Sequence, residues 1–322
     1  MRDRLWAATT FAALASLALF TTGSEAQPGT VKEIVSGVWF REGDLLKQGH
    51  CNNVIIEMAD YLIVVDANFP SGARAALAEA RQVSSKPVKY VFDTHHHGDH
   101  AYGNPVWTRE GAITLAHKGV AEEMKRYEPK RWLDTAKQRA DVGELGLPTA
   151  EPPQQTFDQS PFVLSDGKRR VEFHFFGWAH TRGDGFVYLP NERVLSTGDA
   201  VVNGPYNYTA DGYIGNWANV VRAAAKLGAT RVLPGHGGAG GTEILTGQQQ
   251  FFVELHRAVK AAVDGGSKIE DLVTKGGQKA STTIQLPETV KNWVGPSFPN
   301  QVKDAFEEIS EGKPHGEILG GK

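Results

Sequence analysis

The chain has 322 residues, enough to bury a full core as one large domain or two small ones, and its 40% hydrophobic and 22% charged content is that of a soluble globular protein. A formal net charge of -3 gives no basis for nucleic acid or anionic membrane as a partner. The basic pairs Lys125-Arg126 and Lys130-Arg131 are interleaved with Glu122, Glu123, Glu128 and Asp134, as on a solvated helix face. The first element is a leader. Arg2 and Arg4 precede an uncharged apolar run, Leu5 to Phe20, and Ser24-Glu25-Ala26 closes it with small residues at the first and third positions. That layout predicts a signal peptide over 1–26, cleaved after Ala26, and a periplasmic or secreted mature chain. The run is shorter than the roughly 20 residues a spanning helix needs, and no later run is long enough.

From residue 30 onward the pattern predicts short strands and helices in succession. Val38 to Phe40 is a strand. Asn53 to Met58 and Tyr61 to Val65 form a hairpin turning at Ala59-Asp60. Ser71 to Val83 is a helix with Ser71 as its N-cap, and Val88 to Asp93 a strand that ends at a histidine cluster. Ile113 to Leu115 is a strand and Lys118 to Tyr127 a helix; residues 129–160 form an inserted excursion with one helix near Trp132 to Val142. The pattern then restarts with strands at 171–176, Gly185 to Leu189 and Arg193 to Ser196. A helical stripe follows from Trp217 to Leu227, then a strand from Arg231 to Leu233. The tail from Thr242 is mainly helical. Strands in two groups with helices interspersed suggest two packed sheets with helices outside. The single cysteine, Cys51, excludes an internal disulfide and reads as a small buried residue.

The chemistry concentrates in His95-His96-His97-Gly98-Asp99-His100. In extended backbone the spacing of His95 and His97 aims both rings the same way, towards one ion. Asp99 and His100 follow where the chain turns into a helix, facing a second point. Zinc takes imidazole nitrogen and carboxylate oxygen, and leaves a position for water when it is catalytic. A His-rich surface tract would not carry the Gly-Asp interruption behind a buried strand. Three further ligand-type residues stand just past strand ends, beside or near a glycine: His180, Asp199 and His236.

These residues give the chain its resemblance to the metallo-β-lactamase superfamily. The H-x-H-x-D-H motif stands as His95-x-His97-x-Asp99-His100, and the later single ligands match His180, Asp199 and His236 in order, over about residues 32–245. The resemblance implies an α/β (α+β) fold, a four-layer αββα sandwich over 32–245, followed by a helical C-terminal extension over 246–322. It implies one metal on His95, His97 and His180, a second on Asp99, His100 and His236, and Asp199 bridging, with His96 facing away. The cofactors would be two zinc ions, with iron or manganese as alternatives. The activity would be that of a metal-dependent hydrolase, in which the ions share a water, lower its pKa towards about 7 and attack with the resulting hydroxide. Asp99 would both ligate and orient that nucleophile. Thr94, Thr181 and Asp184 are candidates for fixing the rings from behind.

The best-known β-lactamases of the superfamily carry Cys or Ser where Asp199 falls, whereas an aspartate there resembles the ester-, lactone- and thioester-cleaving branch. The expected substrate is therefore a small ester, lactone, thioester or lactam. The rivals are a β-lactamase proper and a mononuclear-iron sulfur oxidoreductase of the same fold. The substrate walls are expected from Glu42 to Cys51, from 129–160 and from Val201 to Tyr213, where Tyr206, Asn207 and Tyr208 are candidates. The partner is a small molecule, with no nucleic acid and no membrane span after cleavage; oligomeric state stays open.

Overall fold

The computed structural model describes residues 30–276 and 279–320; the leader expected over 1–26 lies outside them. The first sheet has seven strands: β1 (Val31–Val35), β2 (Val38–Arg41), β3 (Asn53–Glu57), β4 (Leu62–Val65), β5 (Val88–Asp93), β6 (Ile113–His117) and β7 (Gln155–Phe157), in spatial order β1-β2-β3-β4-β5-β6-β7. Pairing is antiparallel from β1 to β4 and parallel from β4 to β7. The second sheet holds β8 (Phe162–Ser165), β9 (Arg170–Phe175), β10 (Gly185–Leu189), β11 (Val194–Ser196) and β12 (Arg231–Leu233), in order β12-β11-β10-β9-β8. Here β9, β11 and β12 point one way, because β10 is antiparallel to both β9 and β11 while β11 is parallel to β12.

The sheets pack face to face over an apolar core. Val38, Phe40, Ile56, Ile63 and Phe92 of one meet Phe173, Val187, Leu189 and Val194 of the other, and the Phe92 and Phe173 rings sit 4.7 Å apart. Helix Pro70–Val83 covers the outer face of the first sheet through Ala73, Ala76, Leu77 and Ala80, one face at helical spacing. Helices Ile214–Ala225, Thr242–Asp264 and Phe298–Glu311 cover the second sheet, and Trp217 stacks on Phe252 at 3.9 Å. Helix, sheet, sheet, helix is the four-layer sandwich that the sequence implied.

Several expectations are corrected in detail. The helix at 70–83 has Phe69 at its N-cap, because Pro70 supplies a preset φ for the first helical position. Ser71 instead sits in the first turn and donates both its N–H and its hydroxyl to Asp141 Oδ2, at 3.0 and 2.6 Å. The excursion at 129–160 carries two helices, Lys130–Gln138 and Ala140–Gly143, anchored by buried Trp132, whose indole donates to the Leu147 carbonyl at 2.8 Å. The tail adds a polar hairpin, β13 (Val273–Gly276) with β14 (Lys279–Thr282), between its helices. A single helix, Thr242–Asp264, runs through the position where the sequence divided the sandwich from its extension.

Candidate metal centre

Every expected ligand stands just past the end of a strand. His95, His97, Asp99 and His100 follow β5; His180 follows β9, Asp199 follows β11 and His236 follows β12. Since β9, β11 and β12 run in one direction, their ends meet at one edge of the second sheet, opposite the end of β5. Backbone stitches hold the two sheets there. Gly185 N–H donates to the Thr94 carbonyl at 2.7 Å, and the Asn52 amide reaches the Pro234 and Gly237 carbonyls at 2.8 Å each. Two glycines make the close approach feasible. Gly198 has φ +50, and a Cβ there would meet Thr94 Oγ1 at 2.5 Å; a Cβ on Gly235 would overlap Asp199 Oδ1.

His95 Nε2, His97 Nδ1 and His180 Nε2 form a triangle with edges of 3.1, 3.2 and 3.0 Å. The outward nitrogen of each ring has its own acceptor. His97 Nε2 donates to Asp211 Oδ2 at 2.8 Å and His180 Nδ1 to the Tyr208 carbonyl at 2.9 Å. Thr94 Oγ1 donates to Asp66 Oδ1 at 2.7 Å and so accepts from His95 Nδ1 at 3.1 Å. With those protons placed outside, three lone pairs converge inside the triangle, an arrangement that repels itself without a cation at its centre. The edges match the roughly 3.3 Å separation that ligands at about 2.0–2.1 Å take around tetrahedral zinc. Burial, together with the neighbouring rings, holds His95 well below the usual imidazole range and pushes His180 down to about 3, so these rings are neutral and ligand-ready.

The second set is carboxylate-rich. His236 Nε2 lies 3.1 Å from Asp99 Oδ2 and 3.4 Å from His100 Nε2, and His100 Nε2 lies 3.4 Å from Asp99 Oδ2. Asp199 spans both sets: Oδ1 is 3.3 Å from His100, Oδ2 is 3.3 Å from His236 and 3.8 Å from His180. Asp199 Oδ1 is buried and accepts no hydrogen bond, the state of a carboxylate oxygen built for a metal. Burial opposes charge on every group of this set, yet mutual attraction prevails. His236 is pushed up to about 9, chiefly by Asp199, while Asp99 and Asp199 are held well below the usual carboxylate range by His100 and His236. His100 Nδ1 rests 2.9 Å from Asp66 Oδ2. Cys51, fully buried, groups with Asp66 and His100, and burial pushes its thiol up to about 12, so it behaves as a small neutral residue.

The donor sets thus fit two ions, one on three imidazoles and one on two imidazoles and two carboxylates. His96 stays out of both: its ring stacks on Tyr127 at 5.3 Å and its Nε2 faces Arg131 Nη1 at 3.3 Å. Of the residues expected to fix the rings, Thr94 does so. Asp184 and Thr181 instead secure the His180 loop, Asp184 accepting from the Ala179, His180 and Thr181 N–H groups. The residue missed by sequence reasoning is Asp211. It is fully buried, takes His97 Nε2, and is gripped by both Arg131 terminal nitrogens at 2.7 and 2.8 Å. It sits 114 positions from His97 in a loop, with no local motif to announce it.

The centre opens into a cleft of about 470 Å³, to which all three expected wall segments contribute. Leu45 comes from the first, Arg131 and Gln138 from the second, Tyr206 and Tyr208 from the third. Asn207 does not face it; buried at 2% exposure, its amide pairs with Gln248.

A family model described as the metallo-beta-lactamase superfamily matches residues 46–236, more than half of the chain. The 2,4-dinitroanisole O-demethylase subunit alpha of Nocardioides sp. (strain JS1661) is 28% identical over 218 residues, 66% of this chain and 60% of that protein. The chain thus spans about three fifths of that relative's length. The type 2 metallo-beta-lactamase of Bacillus cereus is 24% identical over 200 residues, 60% of this chain and 70% of that one. Among solved structures, a metallo-beta-lactamase from Pontibacter korlensis superposes with a TM-score of 0.57 at 21% identity, covering 70% of this chain and 98% of that one. FIM-1 from Pseudomonas aeruginosa, in its mono-zinc form, gives 0.56 at 21% identity, with 71% and 96% covered. Layer order and family model agree, and the chain belongs to the metallo-beta-lactamase superfamily.

Proposed function

We propose that the chain is a two-zinc hydrolase that cleaves a small ester, lactone, thioester or lactam in this cleft. The observation that carries the reading is the triangle of inward lone pairs on His95, His97 and His180, set beside a second donor set that shares Asp199. Ions bound there would supply Lewis acidity and a water acidified to near-neutral pKa. The chain's residues do the rest. Asp99, its side chain 21% exposed at the cleft floor, orients the attacking water through its carboxylate. Arg131, its charge paired with Asp211, lines one wall and offers its remaining N–H groups to an acceptor oxygen of the substrate. Tyr206 and Tyr208 with Phe69 offer aromatic walls to an apolar or aryl portion of the substrate.

Aspartate at 199 favours esters and lactones over β-lactams. One relative is a 2,4-dinitroanisole O-demethylase subunit, which adds activated aryl methyl ethers to the panel worth testing. The experiment is kcat/KM for aryl esters, lactones, thioesters, aryl methyl ethers and nitrocefin, before and after chelation and zinc return. Activity lost on chelation and restored by zinc supports the reading. Hydrolysis that survives chelation overturns it, and one bound iron with oxygen uptake favours a sulfur oxidoreductase. The leader pattern over 1–26 supports export, which N-terminal sequencing of the mature protein checks; a mature chain that retains Met1 contradicts it.

A further inference from the structure

The stretch Thr242–Gly320 lies beyond the residues matched by the family model, yet it grips one loop of the metal centre along its whole length. That loop, residues 206–213, supplies two of the three acceptors that fix the histidine triangle: the Tyr208 carbonyl for His180 and the Asp211 carboxylate for His97. Gln301 Nε2 donates to the Asn207 carbonyl at 2.7 Å. Thr209 Oγ1 donates to Asp304 Oδ2 at 2.6 Å. His315 Nδ1 donates to the Ala210 carbonyl at 2.7 Å, and Gly316 N–H to the Gly212 carbonyl at 3.0 Å. Just after the loop, Glu308 accepts from the Ile214 and Gly215 N–H groups at 2.9 and 2.6 Å. Each side chain in this series is at most 7% exposed as a residue, so the contacts are shielded from competing water. Towards the second donor set the same segment acts through other residues, Trp293 Nε1 donating to the Val202 carbonyl at 3.0 Å and Gln248 Nε2 to the Ala200 carbonyl at 3.4 Å, while His100 is backed by Asp66 from the end of β4; the contacts of Gln301, Asp304 and His315 serve the 206–213 loop.

We infer that the C-terminal segment is a positioning layer for the metal centre, in which Gln301, Asp304 and His315 set the ring orientation and tautomer of His97 and His180 through loop 206–213. The inference rests on the metal reading above. Its consequence is selective: loosening the clasp weakens the three-histidine site and leaves the carboxylate-rich site alone. Partners behind metal-ligating histidines commonly carry 10–100-fold in affinity, and residues one step further back are expected at the lower end, about tenfold.

The test is Co(II) titration of the full chain after chelation, followed by d–d absorption, in two backgrounds. His236→Ala leaves the histidine triangle as the intact site, and His180→Ala leaves the Asp99, His100 and His236 set. Adding Gln301→Ala with Asp304→Ala is expected to weaken Co(II) binding about tenfold in the first background and to leave the second unchanged. Val302→Ala, a truncation in the buried core on the same helix that removes no hydrogen bond to the loop, supplies a matched loss of thermal stability and is expected to change neither. Equal weakening in both backgrounds, weakening by Val302→Ala of the same size, or no weakening at all overturns the inference. A wild-type chain that takes up no Co(II) overturns the metal reading itself, a separate and recognisable result.

Discussion

The two halves of the metal centre are built on opposite electrostatic plans. His95, His97 and His180 are kept neutral by burial and held by acceptors outside the triangle, so their inner faces are pure donors. His100 and His236 sit among Asp66, Asp99 and Asp199, so the second set brings carboxylate charge of its own to meet a cation. The first half is organised from behind by the 206–213 loop and the C-terminal helices, the second by Asp66 at the end of β4 and by the carboxylates among its donors. The first is therefore open to changes far from the site, and the second chiefly to changes within or directly beside it.

The largest expected effect comes from removing a ligand on each side. His180→Ala and His236→Ala should each lose one bound ion and more than about 100-fold in kcat/KM, checked by metal content alongside turnover. Gly235→Ala attacks the shared element, because its methyl would overlap the Asp199 carboxylate that serves both halves. A displacement of about 1 Å there should cost up to about 10²-fold in activity and weaken both ions together. Asp211→Ala and Asp66→Ala sharpen the contrast. Each should weaken metal binding about 10–100-fold, the first at the histidine triangle, and the second at His100 with a smaller effect through Thr94 on His95.

The smallest expected effect lies outside the centre. Burial pushes Glu123 up to about 6 despite the opposing pull of Arg126 and Arg182, so the folded chain holds its proton more tightly than the unfolded chain, whose carboxyl titrates near 4.5. That stabilisation is fully present below about pH 4.5 and is lost as pH rises through about 6, a change of about 1–2 kcal/mol. Thermal melts of wild type and Glu123→Gln across that range should show the slope in the first and not in the second.

The clustering of the seven candidate residues was legible because each follows a strand and lies beside or near a glycine, a pattern that survives without any long-range information. Strands 88–93, 185–189 and 231–233 and the helix at 118–127 were legible from end to end, the strands from their apolar residues and the helix from Val120 and Met124 one turn apart among charged residues. What escaped is weakly patterned or remote. β1 alternates poorly and β14 is Lys279-Ala280-Ser281-Thr282, largely exposed, so neither buries enough to leave a period-two signature. Ser71 has the composition of a cap but is drawn to Asp141, 70 positions away. Asp211 and the Tyr208 carbonyl act on rings through tertiary contacts, and a carbonyl carries no sequence signal at all.

The central claim is that two ions occupy two separable donor sets joined by Asp199, and the number of metal ions bound per chain after chelation and zinc reloading tests it most directly. The account predicts two in the wild type and one in each of His180→Ala and His236→Ala. A wild-type chain that binds none, or variants that both keep two, would contradict it.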